Sequence, residues 1–169
     1  MFPLLPYQHV AINTNLSIDD AASLLANRVS PPPRLFRRSS DTEKEKEYEG
    51  KVSQTGFRVN RKINYRNSFL PILYGKFIPT SYGTKVNIHM TMHPIVIVFC
   101  CVWCSPLLSA LWATVKDMIF SNSPFDSVVF MPIGMLTFLY LMVFFSFGIE
   151  AKRSKNFMEK LFEKYNVLE

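Results

Sequence analysis

Two apolar runs in the second half of the chain constrain it more than any other feature. Pro94 to Val115 is 22 residues without a charge, and Ser127 to Ile149 is 23 more. At a helical rise of 1.5 Å per residue the shorter run reaches roughly 33 Å, against a hydrocarbon core of about 30 Å. Only 11 residues, Lys116 to Asp126, separate the two runs. So short a connection predicts antiparallel neighbours, a transmembrane hairpin over 94–149 with spans 94–115 and 127–149 and loop 116–126.

Charge placement orients the hairpin. Residues 1–93 carry 13 Lys/Arg and 7 Asp/Glu. Near the spans, Lys76, Lys85, Lys152, Arg153, Lys155, Lys160 and Lys164 flank the outer ends, whereas the loop holds Lys116 alone. Basic residues near span ends set orientation. The expectation is a two-pass protein of the plasma (inner) membrane with both termini cytoplasmic and the loop outside. Met1 to Val10 has no basic region and is interrupted by Pro3 and Pro6, so it does not read as a secretory signal. All three cysteines fall inside the first span, which leaves no disulfide framework for the water-exposed parts.

Residues 1–93 read as a cytoplasmic α+β part. Tyr7 to Asn13 is a short strand-like stretch. Ser17 is a predicted N-cap, followed by Asp19 and Asp20 in a first turn whose dipole favours acids, and the helix spans 17–28. Pro31, Pro32 and Pro33 would stop it. Residues 31–47, with an alternating Glu/Lys run, read as a solvated linker. Alternation then takes over. Phe57, Val59, Ile63 and Tyr65 interleave with Arg58, Asn60, Lys62, Asn64 and Arg66. Val86, Ile88, Met90 and Met92 interleave with Lys85, Asn87, His89, Thr91 and His93. Period two marks half-buried strands, here an antiparallel meander over 48–53, 57–66, 69–78 and 84–92. Residues 150–169 form a last, amphipathic helix with Phe157, Met158, Leu161, Phe162 and Tyr165 on one face. The N-terminal strand is expected to join the meander, making four to five strands, with the Ser17 helix and this last helix covering its apolar face; the alternative is that the last helix lies in the membrane interface.

Few residues carry chemistry. Cys101-Val-Trp-Cys104 has redox spacing, but an apolar span offers no cation to stabilise a thiolate, and two thiols do not fill a zinc shell. Packing is the better reading. Of the three, Cys100 lies nearest the cytoplasmic boundary, where acylation would occur. His89 and His93, four apart on a strand, stand about 13 Å from each other and cannot share a metal ion. Asn15-Leu-Ser17 matches a glycosylation acceptor on the wrong side of the membrane. Neither span holds an ionisable residue, against the pattern of relays and ion pathways. Phosphate-loop, nucleophile-elbow and zinc-protease patterns are lacking. Nothing marks a catalytic, cofactor or metal residue, and the chain reads as a non-enzyme.

Two candidate contact sets remain. Arg58, Lys62, Arg66, Lys76 and Lys85 would form a basic sheet face, either simply solvated or set against anionic lipid headgroups. Nucleic acid is a weaker partner, because Tyr65 and Phe69, the rings that would stack, sit where the core needs them. Ser105, Ser109 and Ala113, spaced by four, would let the second span approach the first closely. The peptide Tyr65-Arg-Asn-Ser-Phe-Leu-Pro71 mixes a cation, an amide and a hydroxyl with aromatics. It is a structured bulge with Asn67 and Ser68 satisfying backbone groups, or a ligand-binding loop.

Tyr48-Glu-Gly-Lys-Val-Ser, Gly56-Phe-Arg-Val-Asn-Arg, Tyr65-Arg-Asn-Ser-Phe-Leu-Pro, Gly83-Thr-Lys-Val-Asn-Ile and Met92-His-Pro together resemble a family of small uncharacterised bacterial membrane proteins of cyanobacterial type. The tail around Phe147, Glu150, Ala151 and Lys152 is similar too, and the resemblance covers about Leu16 to Phe162. It implies an α+β cytoplasmic domain with the hairpin inserted before the last helix, and it implies no activity. A similarity to membrane-anchored bacterial PH-like modules is more distant and would need more strands. The resulting expectation is a non-enzymatic interaction or sensory module at the membrane surface. Alternatives are an accessory subunit of a larger membrane complex, through other subunits or self-association, and an oligomeric pore.

Overall fold

Alternation of apolar and polar residues builds a six-stranded sheet in a computed structural model that describes residues 6–32, 46–120 and 127–165. The strands are β1 (Tyr7–Thr14), β2 (Val29–Ser30), β3 (Tyr48–Ser53), β4 (Gly56–Arg61), β5 (Ile72–Thr80) and β6 (Gly83–Thr91), in spatial order β1-β6-β5-β4-β3-β2. Neighbours are antiparallel except β2 and β3, which run parallel. The expected four-strand meander is therefore present as β3 to β6. The N-terminal strand joins it beside β6, with Val10 opposite Ile88 and Ile12 opposite Val86.

Helix α1 (Ile18–Ala26) connects the two edges of the sheet across its apolar face. Ser17 caps it as expected: its Oγ accepts from the Asp20 amide at 3.2 Å and donates to the Asp20 carboxylate at 2.7 Å. Ala21, Ala22 and Leu25 are the buried stripe. The helix ends at Ala26 rather than at 28, and the prolines are not what stops it. Val29 and Ser30 leave it to pair with Tyr48 and Glu49. Of the expected linker, residues 33–45 lie outside the described residues.

Two strand boundaries differ from the alternation. β4 stops at Arg61 because its partner β3 begins at Tyr48, opposite Arg61, so no ladder exists beyond it. The chain turns there, with the Lys62 amide donating to the Glu47 carbonyl at 2.7 Å. β5 starts at Ile72, after Pro71, which has no N–H to give a ladder. Residues 62–71, read as strand up to 66 and again from 69, form a loop instead.

Helix α2 (Pro94–Phe120) runs five residues past the expected end of the first span, taking Lys116 and Asp117 into the helix. Of the expected loop, 121–126 lie outside the described residues. A short 3-10 turn (Ser127–Val129) leads into helix α3 (Phe130–Glu163), 34 residues without a break. The expected boundary between a second span ending at 149 and a separate helix from 150 does not occur. α2 and the first half of α3 are long and apolar enough to cross a membrane, and α2 has no buried residue. They meet along a seam of half-buried residues, Cys100, Cys104, Leu107, Leu111, Thr114 and Met118 on α2. Pro132, Leu136, Leu139 and Val143 face them from α3. These positions are spaced by fours and threes, as residues along one face of a helix are.

The second half of α3 covers the sheet. Phe147, Ala151, Met158 and Phe162 are fully buried in one core with Val59, Leu73, Val86, Ile88 and Met90 of the sheet and Leu25 of α1. Burying each large side chain is worth about 1.5–3 kcal/mol. That gain puts the C-terminal segment on the sheet rather than in a membrane interface. The Asn15 amide donates to the Tyr165 carbonyl at 2.9 Å and ties down its end.

Candidate functional site

Glu150 is the first charge after 23 charge-free residues, and it lies on the same helical stripe as Phe147, Ala151, Ser154 and Met158. That stripe packs on the sheet, so the carboxyl is carried inside, where it is 2% exposed. A buried carboxylate is tolerated only with partners. Three side chains supply them. Arg61, the last residue of β4, donates from Nη1 at 2.9 Å. The Tyr65 hydroxyl donates at 2.5 Å. Arg153, one turn on, donates from Nη1 at 2.9 Å.

Burial alone would push the Glu150 carboxyl up. The hydrogen bonds from Tyr65 and Arg61, with the charges of Arg61 and Arg153, outweigh it and hold the carboxyl below the usual range. The same bond to Glu150 raises the Tyr65 phenol. With three donors on its oxygens, Glu150 is a structural latch between helix and sheet rather than a proton acceptor. Beside it, Tyr48 is 1% exposed, stacks on Phe157 at 4.3 Å between centroids and donates to Ser154 Oγ at 3.3 Å.

The loop after β4 leans on α3 through one amide. Asn67 Oδ1 accepts from the Phe69 amide at 2.9 Å, while Asn67 Nδ2 donates to the Ser146 carbonyl at 3.2 Å. Asn67 thus satisfies backbone groups as the bulge reading expected, one of them on α3, whereas Ser68, expected to do the same, makes no bond to another described residue. Between loop and helix opens a cleft of about 390 Å³. Tyr65, Arg66, Ser68 and Phe69 form one wall; Met142, Ser146, Ile149 and Arg153 form the other; Glu150 lies between them. Arg66 is exposed and makes no ion pair or hydrogen bond with any described residue.

The expected basic face does not form as one patch. Arg58, Lys76 and Lys85 share the open side of the sheet, but Lys62 and Arg66 leave it with the loop. That side also carries His9, His89, Asn87 and Glu49, so it is mixed rather than basic. Arg58 lies over the Tyr74 ring at 5.5 Å. Lys85 pairs with Asn13 and Ile78, six residues along β6 from Thr91, roughly 20 Å of strand away from the start of α2. Tyr65, expected in the core, is 52% exposed and serves Glu150. Phe69 does pack against the core.

The small residues Ser105, Ser109 and Ala113 are exposed and lie off the seam with α3. Both serine hydroxyls donate back to their own helix, to the carbonyls of Val102 and Pro106. Cys100 and Cys104 pack in the seam and Cys101 faces outward. His89 and His93 do not converge. His89 Nδ1 is 2.7 Å from the Tyr7 hydroxyl and its ring lies 4.7 Å from that of His9, whereas His93 Nδ1 accepts from the Ile95 amide as α2 begins. Among the described residues no three His, Cys, Asp or Glu side chains gather as a metal shell.

Sequence reasoning passed over Arg61, Glu150 and Arg153. The signal was an acid placed in the apolar stripe of an amphipathic helix, a position that demands a cation from elsewhere. Compared with known proteins, the chain matches no protein-family model, no curated protein and no solved structure.

Proposed function

We propose that this is a two-pass membrane protein whose sheet domain acts, without catalysis, as an interaction or sensory module at the cytoplasmic membrane surface. One observation carries the reading. α3 runs unbroken from the charge-free stretch into the core of the sheet domain, where Glu150 fastens it to β4 and its following loop. A helix held at both ends by packing transmits a displacement of the sheet to the apolar hairpin. No carboxylate or histidine of the site is free to do acid–base chemistry.

The test has two parts. With the native cysteines replaced, a single Ser53→Cys is expected to react with a membrane-impermeant maleimide only after permeabilisation, and Lys116→Cys from outside. The reverse pattern overturns the orientation. A photo-crosslinking residue at Tyr74, on the open sheet face, is expected to give a discrete adduct in native membranes that Arg58→Glu abolishes. Adducts indifferent to that charge overturn the interaction role.

A second reading, subunit of a larger membrane assembly, is favoured by the outward-facing Ser105, Ser109 and Ala113. An Ala113→Cys chain that crosslinks to a copy or a neighbour in membranes supports it; a chain that stays monomeric removes it. An oligomeric pore has less support, because the serine hydroxyls that would line it are bonded to their own helix.

A further inference from the structure

We infer that the cleft between the 65–69 loop and α3 holds the headgroup of an anionic phospholipid, drawn from the leaflet on which the sheet domain rests. The inference depends on the membrane reading above and names the ligand of that surface.

Position is the first argument. One wall of the cleft belongs to α3 where its charge-free run ends at Ile149, and the loop opposite is tied to Ser146 within that run. In a membrane-inserted chain this is the depth of the headgroups, and the cleft opens beside them rather than into bulk water.

Charge is the second. Glu150 is matched by Arg61 and Arg153 together, so the anion it contributes is already compensated. Arg66 adds a guanidinium without any partner among the described residues. In the cleft's own lining Glu150 stands against Arg66 and Arg153, with Arg61 behind Glu150, so positive charge is in excess. Guanidinium forks match phosphate oxygens, and the Ser68 hydroxyl, bonded to no described residue, is a further donor on the same wall.

Shape is the third. Phe69, Met142 and Ile149 are apolar and lie with Arg66 and Arg153 around one opening. A soluble phosphate has no use for that surface, whereas the first carbons of an acyl chain do. The volume, about 390 Å³, lies at the small end of ligand sites, of a size for a headgroup and not for a whole lipid. The open sheet face lacks this combination: Lys85 and Lys76 lie along the strands, away from the start of the spans.

The experiment uses the full chain in nanodiscs of equal parts phosphatidylglycerol and phosphatidylcholine, released and weighed by native mass spectrometry. The expected result is retention of phosphatidylglycerol over phosphatidylcholine. Arg66→Gln should reduce that preference by roughly tenfold, as loss of a charged hydrogen bond does. Because Arg66 is exposed and has no partner among the described residues, this variant keeps the native circular dichroism. Arg58→Gln, on the open face, should leave the preference unchanged. Equal retention of both lipids, or a preference untouched by Arg66→Gln, overturns the inference. Displacement of the lipid by excess inorganic phosphate as readily as by short-chain phosphatidylglycerol overturns it too, by making the site one for free phosphate. Whether the chain resists carbonate extraction from membranes is read separately. Failure there removes the membrane reading itself, whereas integration without lipid preference removes only this site.

Discussion

Glu150 and Arg61 lie 89 residues apart in the chain and 2.9 Å apart in the fold. The pair joins the end of β4 to the first turn of α3 after the apolar run. Replacing Glu150 by Gln keeps its shape and removes its charge. Arg61 and Arg153 are 27% and 56% exposed and recover water, so the loss stays at the low end for a broken buried pair. About 2 kcal/mol is expected, or roughly 4–8 °C in Tm. Thermal melts of the purified protein followed by circular dichroism check this, with Arg153→Gln giving the smaller drop.

Acid should act through the same residue. The folded-state pKa of Glu150 lies below its unfolded value, so its stabilisation is present above the ordinary carboxylate range and fades as pH falls through the folded value. Melts repeated between pH 7 and about pH 3 should show the wild type losing Tm below about pH 4 while Glu150→Gln stays flatter. Tyr65 has the opposite sign. Its raised phenol contributes below the usual tyrosine value and is lost only as pH climbs past it. Parallel acid limbs for the two proteins would contradict the latch.

Gly75 makes room for one ring. A Cβ there would stand 2.0 Å from the Phe57 ring, which covers the glycine on the core face. Gly75→Ala is expected to destabilise by about 1–3 kcal/mol through overpacking. Adding Phe57→Leu should return part of that loss, and a double-mutant cycle measures the coupling. Additive losses would mean that the ring is not what Gly75 accommodates.

Tyr48 separates burial from hydrogen bonding. Its hydroxyl reaches Ser154 at a long 3.3 Å while its ring stacks on Phe157. Tyr48→Phe should cost about 1 kcal/mol or less. Tyr48→Ala, which empties a fully buried site, should cost about 3–5 kcal/mol. Denaturant titrations of both variants give the ratio.

The strands at Phe57–Val59 and Val86–Met90 were legible because alternation is a local property of consecutive residues. The same alternation ran on through Ile63 and Tyr65 and misled there, since a strand lasts only as long as its neighbour, and β3 begins opposite Arg61. The end of the charge-free run at Ile149 suggested a boundary between two helices. α3 runs on through it, and the buried Gly148 there is held helical by packing that outweighs the roughly 1 kcal/mol disadvantage of glycine. The serine face looked like a contact by spacing, yet spacing does not say which side of α2 meets α3.

What the chain determined by itself is therefore everything that depends on near neighbours: two charge-free apolar runs, the Ser17 cap, the meander and its apolar side. The tertiary structure alone decided that Glu150 is buried and held by Arg61, Tyr65 and Arg153. It alone decided that Arg66 borders the cleft beside them and that the N-terminal strand joins the meander beside β6 rather than at its other edge. Those outcomes join residues tens of positions apart. Which pairs meet is set by the burial of whole faces against one another, a quantity no local pattern contains.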